Sequence, residues 1–186
     1  MTTLRLFVAL DLPDAVKAAL ASLRTDIAGA SWSKTANLHL TLKFLGDGID
    51  EARVPILTDA LRAVEGAPFP LALAGVGCFP PEGRQPPRVL WAGLSASPAL
   101  AELAAAVDRT LVPLGFPAER HAFSPHLTLA RLKVAGNDPA VARFLEQHAG
   151  LCCEPFEIAA FHLYSSLLSP QGATYRQLAS FPLLGR

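Results

Sequence analysis

Charge is scarce in this chain and has no net sign. Only 17% of the 186 residues are Asp, Glu, Lys or Arg, against roughly 25% in an ordinary soluble domain. The sixteen acidic and sixteen basic residues cancel. A neutral chain has no global field with which to hold long nucleic acid, so any polyanion contact must be local. Long apolar runs are missing as well. The longest stretch free of charge and His, Gly66 to Pro81, is broken by Pro68, Pro70, Pro80 and Pro81. It falls short of the ~20 residues a membrane-spanning helix requires, so no such helix is expected. The opening Met1 to Asp11 has too short an apolar run for a secretory signal. Cysteine is limited to Cys78, Cys152 and Cys153. The odd count and the adjacent pair fit neither a disulfide framework nor a CxxC site, so reduced thiols in a cytoplasmic protein are expected. Gly and Pro number 13 and 16, well under the level of low-complexity sequence.

What the chain has is apolar surface: 51% of its residues are hydrophobic, enough to bury a core and exclude disorder. Its length fits one domain over 1–186. Leu4, Leu6, Val8 and Leu10 alternate with Arg5, Phe7, Ala9 and Asp11, predicting an opening strand. A helix over Asp14–Ala28 follows Pro13, with Val16, Leu20, Leu23 and Ile27 on one face. Asn37–Leu45 reads as a strand closed by Gly46-Asp47-Gly48, and Asp50–Glu65 as a second helix. Strands are predicted over Pro70–Phe79, Arg88–Leu94, Pro125–Arg131, Phe156–Leu163 and Tyr175–Leu183, and helices over Pro98–Leu114 and Asp138–His148. Without a regular βαβ rhythm or a Gly-rich turn after the first strand, the class is α+β with antiparallel sheet. The order helix, strand, helix, two strands fills 13–94 and again 98–183, with no linker between. Two intertwined lobes packed as one domain are expected, as a monomer.

Each half carries the same tetrapeptide: His39-Leu40-Thr41-Leu42 and His126-Leu127-Thr128-Leu129. Composition would produce one such string roughly 0.007 times by chance, so the pair is far more specific than a lone short motif. On a strand, residues i and i+2 share a face; each His and its Thr point one way while the leucines enter the core. Two such strands can bring two imidazoles and two hydroxyls to one cleft. Imidazole titrates near neutrality, so one ring can donate a proton while the other accepts one. Hydroxyls beside them can donate to a tetrahedral anion. A phosphodiester fits that cleft.

Here the sequence resembles a known family, the two-histidine (2H) phosphoesterases, and within it the RNA 2′,3′-cyclic phosphodiesterase branch historically called 2′-5′ RNA ligases. The resemblance is carried by Arg5-Leu6-Phe7, His39 to Gly46, Arg88-Val89-Leu90-Trp91, Pro125 to Arg131, Leu163 to Leu167, Gly172 and Tyr175. Ser165 stands where that branch often has a basic residue. The resemblance implies two antiparallel sheets in pseudo-twofold arrangement, helices outside and a central groove. It implies hydrolysis of a terminal RNA 2′,3′-cyclic phosphate to a 2′-phosphate, with no metal and no nucleotide cofactor, and ligation of 2′-5′ ends as a reverse side activity. Carried onto this chain, His39 is the proton donor to the departing 3′-oxygen and His126 the proton acceptor from water. Thr41 and Thr128 hold the non-bridging oxygens, and Phe44 and Arg131 match positions for nucleotide stacking and phosphate contact. The identical motifs do not themselves say which His is acid and which is base.

Phe44 and Arg131 each follow their His by five residues. Strict alternation puts them on the wrong face, so each strand must end or bulge first. Phe44 is otherwise a core residue by default, and Arg131 a surface ion-pair partner. Lys43 shares parity with His39, although solvated lysines are the common outcome. His121, His148 and His162 lack a Thr partner; His148 complements a helix C-terminus, and His162 is a core or groove residue. Arg84 and Arg88 read as loop charge. No Gly-x-Ser-x-Gly, Gly-x-x-x-x-Gly-Lys or His-Glu-x-x-His motif occurs. A rival reading from another class is a module that binds nucleotide phosphate ends without turnover. Arginines would serve pure binding better than two neutral-pH acid–base groups, and product formation separates the two.

Overall fold

The computed structural model describes residues 2–81, 85–133, 138–170 and 172–185. Arg84 lies outside them. The class is α+β with antiparallel sheets. The first sheet has the order β10-β9-β1-β3, built from β1 (Thr3–Asp11), β3 (His39–Asp50), β9 (Ala160–Ser169) and β10 (Gly172–Pro182). The second has the order β2-β7-β6-β5, from β2 (Ala30–Trp32), β5 (Leu73–Phe79), β6 (Val89–Leu94) and β7 (Leu127–Leu132). A small third sheet pairs β4 (Phe69–Leu71) with β8 (Phe156–Ile158). Neither large sheet belongs to one half of the chain: β3 lies with β9 and β10, and β7 with β5 and β6.

Period-two alternation sets the layers. Leu6, Val8 and Leu10 on β1 are fully buried, and the helices cover that side. Helix α3 (Pro98–Leu111) packs on β3, α2 (Val54–Arg62) on β10 and α4 (Pro139–His148) on β5. Helix α1 (Asp14–Ser22) lies near Trp32 and Leu129 of the second sheet. The residues of opposite parity, among them Phe7, Tyr164, Tyr175, Trp91 and Thr128, face away from the helices. Phe7 stacks there on Tyr164 and meets Tyr175 edge-on, and strands β3 and β7 touch each other. No helix among the described residues is long and apolar enough to cross a membrane.

Several elements depart from the alternation and periodicity of the sequence. Helix α1 ends at Ser22 rather than Ala28, closing with tight Leu23 and Arg24 N–H bonds to Leu20 and Ala21 carbonyls. Ile27 is still buried, reaching the core from irregular backbone. Strand β2 is invisible to periodicity because it is three residues long. It is placed by Gly29, whose φ of +72° and whose closeness to the Lys133 carbonyl leave no room for a Cβ. Gly46 and Gly48, which read as stop signals, are left-handed residues inside β3, where the ladder with β1 is irregular. The stretch Phe156–Leu163 is two strands, because Ala159 lets the chain pass from the small sheet to the large one. Ala72 does the same between β4 and β5. The matched halves differ in how the motif strand is placed: β1 is inserted between β3 and the β9-β10 hairpin and β3 lies at the sheet edge, whereas β7 pairs directly with β6 and is flanked on its other side by β2.

Candidate active site

The twin motifs lie on strands that repeat each other residue by residue. From His39 to Leu45 and from His126 to Leu132 the pattern of half-buried, buried and exposed residues is the same. Both strands bulge at the same place. On β3, Thr41 and Lys43 oppose the consecutive residues Ala9 and Val8. On β7, Thr128 and Ala130 oppose Trp91 and Leu90. One extra residue in each strand reverses the parity after it. Phe44 therefore comes onto the face of His39, opposite Phe7, and Arg131 onto the face of Thr128. Phe44 is 44% exposed rather than core, with the Arg5 guanidinium 4.4 Å from its ring centre.

The same bulge turns Lys43 inward. It is 3% exposed, against the expectation of a solvated lysine, and its Nζ donates to Asp108 Oδ1 on α3 at 2.5 Å and to the Pro117 carbonyl at 2.8 Å.

The two histidines are held in the same way. His39 Nδ1 donates to the Asn37 carbonyl at 2.7 Å, and His126 Nδ1 to the Ser124 carbonyl at 2.9 Å. Each carbonyl lies two residues upstream, and a carbonyl only accepts, so Nδ1 keeps its proton. In both neutral rings the lone pair is thus on Nε2. His39 Nε2 lies 3.0 Å from Thr41 Oγ1. Aromatic edges fix the ring planes: Tyr175 meets His39 at 5.1 Å and Phe79 meets His126 at 5.1 Å, both edge-on, while Phe7 lies 4.9 Å from His39. Trp91 lies flat over Gly77, where a Cβ would sit 2.1 Å from the indole. Trp91 in turn backs Phe79 at 5.3 Å. Gly77→Ala is therefore expected to displace the indole and to destabilise the protein by about 1–3 kcal/mol, the usual range for overpacking. Urea unfolding checks it.

Burial lowers the pKa of His39, since the imidazolium loses hydration. The Asn37 carbonyl and the Asp11 carboxylate oppose the shift, while Lys17 and His126 add to it. Asp11 sits opposite His39 in the β1–β3 register and is paired with Lys17 at 2.6 Å. Burial raises Tyr175, and the charges of Arg131 and Arg5 offset part of it. Burial and then Asp11 push Tyr164 up to about 12.

Thr41, Phe44 and His126 line one cavity of about 410 Å³. Its other wall comes from Ala101, Ala104 and Asp108 on α3 and from His121 and Phe123 on the loop before β7. No sequence signal marks Asp108, which sits among surface-type helix residues, or His121, which no spacing ties to the motif. His162 is half-buried on β9, on the same face as Tyr164, with its Nδ1 unpartnered. His148 lies in the last turn of α4 against Phe144. Ser165 is on the face of β9 opposite Tyr164. Among the described residues, no three His, Cys, Asp or Glu side chains are gathered to hold a metal ion.

One ring and one hydroxyl from different motifs, His126 and Thr41, line the cavity, with His39 Nε2 at hydrogen-bond distance from the Thr41 hydroxyl, while His39, Thr128 and Arg131 are not among its lining residues. The description LigT like Phosphoesterase matches the chain twice, over residues 10–91 and 94–175, and the chain belongs to that family. An RNA 2′,3′-cyclic phosphodiesterase of Archaeoglobus fulgidus is 34% identical over 96% of this chain and 99% of its own. Its namesake from Thermus thermophilus is 36% identical over 98% and 91%. Among solved structures, a protein of Thermus thermophilus superposes with TM-score 0.79 at 31% identity, over 97% of this chain and 98% of that one. The LigT of E. coli complexed with 3′-AMP does so with TM-score 0.79 at 26% identity, over 98% and 99%.

Proposed function

We propose that the chain hydrolyses the 2′,3′-cyclic phosphate at the end of an RNA to a 2′-phosphate, by acid–base catalysis between His39 and His126 and without a metal. The observation that carries this is the matched tethering of the two rings. Each is fixed through Nδ1 to a backbone carbonyl, so each offers Nε2 for proton transfer. In the proposed cycle His126 Nε2 takes a proton from water as its oxygen attacks phosphorus. His39 Nε2 returns a proton to the 3′-oxygen as the P–O3′ bond breaks. Thr41 and Thr128 donate to the non-bridging oxygens, where charge builds. Phe44 and Arg131, brought to the site by the bulges, stack on the nucleotide and contact phosphate. After one turnover the rings have exchanged protonation, and solvent resets them. The assignment of acid and base follows the family. The setting is the cytoplasm, where thiols stay reduced, and the chain acts as a monomer. Ligation of 2′-5′ ends is the reverse reaction through the same groups.

A 2′,3′-cyclic-phosphate dinucleotide assayed in excess EDTA tests the reading, with the product identified by phosphorus NMR. Turnover to the 2′-phosphate is expected, with a bell-shaped pH dependence of kcat/KM that belongs to the pair of rings. Because burial disfavours the His39 imidazolium, the acid side of the bell should lie below the ordinary imidazole value of about 6.5. An anionic phosphodiester beside the ring favours the proton again, so the acid side of the kcat profile should lie higher. Loss of activity to EDTA would refute the metal-free step. Tight binding without product would make the site a phosphate-end binding module instead.

A further inference from the structure

We infer that Lys43 and Asp108 are positioning residues that set His126 against His39, an inference that rests on the acid–base reading above. The two motif strands share their first four residues and their pattern of burial, but at the bulge β3 carries a buried Lys43 where β7 carries Ala130, and beside it an exposed Phe44 where β7 carries an exposed Arg131. A buried cation at only one of two equivalent sites is not required by the shared fold. Lys43 reaches out of the strand that carries His39 and Thr41 and binds two places beyond it, the Asp108 carboxylate and the Pro117 carbonyl. Asp108 also accepts the Glu119 N–H, at 3.2 Å to Oδ1 and 3.4 Å to Oδ2. The Glu119 carboxylate approaches Lys43 at 3.6 Å.

These bonds hold residues 117–119. From there the chain runs without helix or strand to Ser124, whose carbonyl fixes the His126 ring, and then into β7. Phe123 on the way packs against the core. One buried ammonium thus joins the His39 strand, helix α3 and the loop that aims His126. Lys43 and Asp108 also line the cavity shared by Thr41 and His126. Cut the tether, and the loop can shift relative to β3 while both sheets remain paired. Misplacement by an ångström is enough to cost about 10²-fold in rate.

Stability alone is the competing account, and the test separates the two in the full chain. Lys43→Met and Asp108→Asn each break the ion pair; Asp108→Asn keeps an acceptor for Glu119. The double variant Lys43→Met/Asp108→Leu replaces the pair with apolar groups, a change that often restores stability. Each single variant is expected to lower kcat about 10–10²-fold, with a smaller change in KM. The double variant is expected to regain its thermal midpoint but not its kcat. Nitrogen-15 shifts of the imidazoles, read without substrate, should show His126 losing its Nδ1–H tautomer preference while His39 keeps it. Recovery of kcat together with the midpoint, or an unchanged His126 tautomer in both single variants, would overturn the inference. If the double variant does not regain its midpoint, the tautomer in Asp108→Asn decides. Should the wild type not hydrolyse the dinucleotide, the function fails, and the tautomer measurement still judges the tether by itself.

Discussion

His39→Ala and His126→Ala are each expected to lower kcat for the cyclic-phosphate dinucleotide by about 10²–10⁴, the usual worth of a positioned general acid or base. KM should move far less, because neither ring supplies most of the binding contacts. The double variant should be little slower than the worse single one. In the proposed cycle the attacking water loses its proton and the 3′-oxygen gains one in the same displacement, so the two rings would act as a unit and their losses would not multiply. The single variants should nevertheless differ in stability. His39 is wedged between Phe7 and Tyr175, whereas His126 has Phe79 at its edge.

The pH dependence of stability carries a further signature at His39. Its folded-state pKa is lowered, so the unfolded chain binds the proton more readily, and the wild type loses stability as pH falls through the ordinary imidazole range. His39→Ala should lack that part of the acid loss. Stopped assays at saturating substrate and urea titrations at two pH values measure both effects. A single variant with full kcat would remove the mechanism.

The site is legible because its chemistry is written twice and locally. That His39 shares a face with Thr41, and His126 with Thr128, follows from strand periodicity alone, whereas Phe44 and Arg131 could join those faces only if each strand ended or bulged first, and both strands bulge. Lys43 departs from expectation for the same reason. Before the bulge it shares parity with His39; after it, the side chain turns to α3 and is buried. A reversal of parity by one inserted residue leaves no mark in composition, since Leu42 and Lys43 read as ordinary alternation. Long-range partners are beyond reach altogether. Asp108 meets Lys43 across 65 positions, and only the packing of α3 on β3 brings them together. Ile27 shows the reverse case: helical spacing forecasts its burial correctly but not its conformation, because the core needs its side chain and not its backbone.

Thr41→Val and Thr128→Val are each expected to lower kcat by about 10²–10³, the cost of removing one donor to a developing oxyanion. Valine keeps the branched shape that suits the strand, so unfolding midpoints should stay close to wild type while the rate falls. Serine at either position keeps the hydroxyl and should retain most of the activity. The pair should behave unlike the histidines. In the proposed cycle the two hydroxyls come from different strands and donate to different oxygens of the same phosphorus, so they make no joint proton transfer. Their losses should add as free energies, and Thr41→Val/Thr128→Val should lose roughly the product of the single factors. Equality between the double and the worse single variant would mean that one threonine alone meets the phosphate. Thr41 would then be the residue left aside, since its hydroxyl already lies at hydrogen-bond distance from His39 Nε2 and would have to leave it to serve the oxyanion.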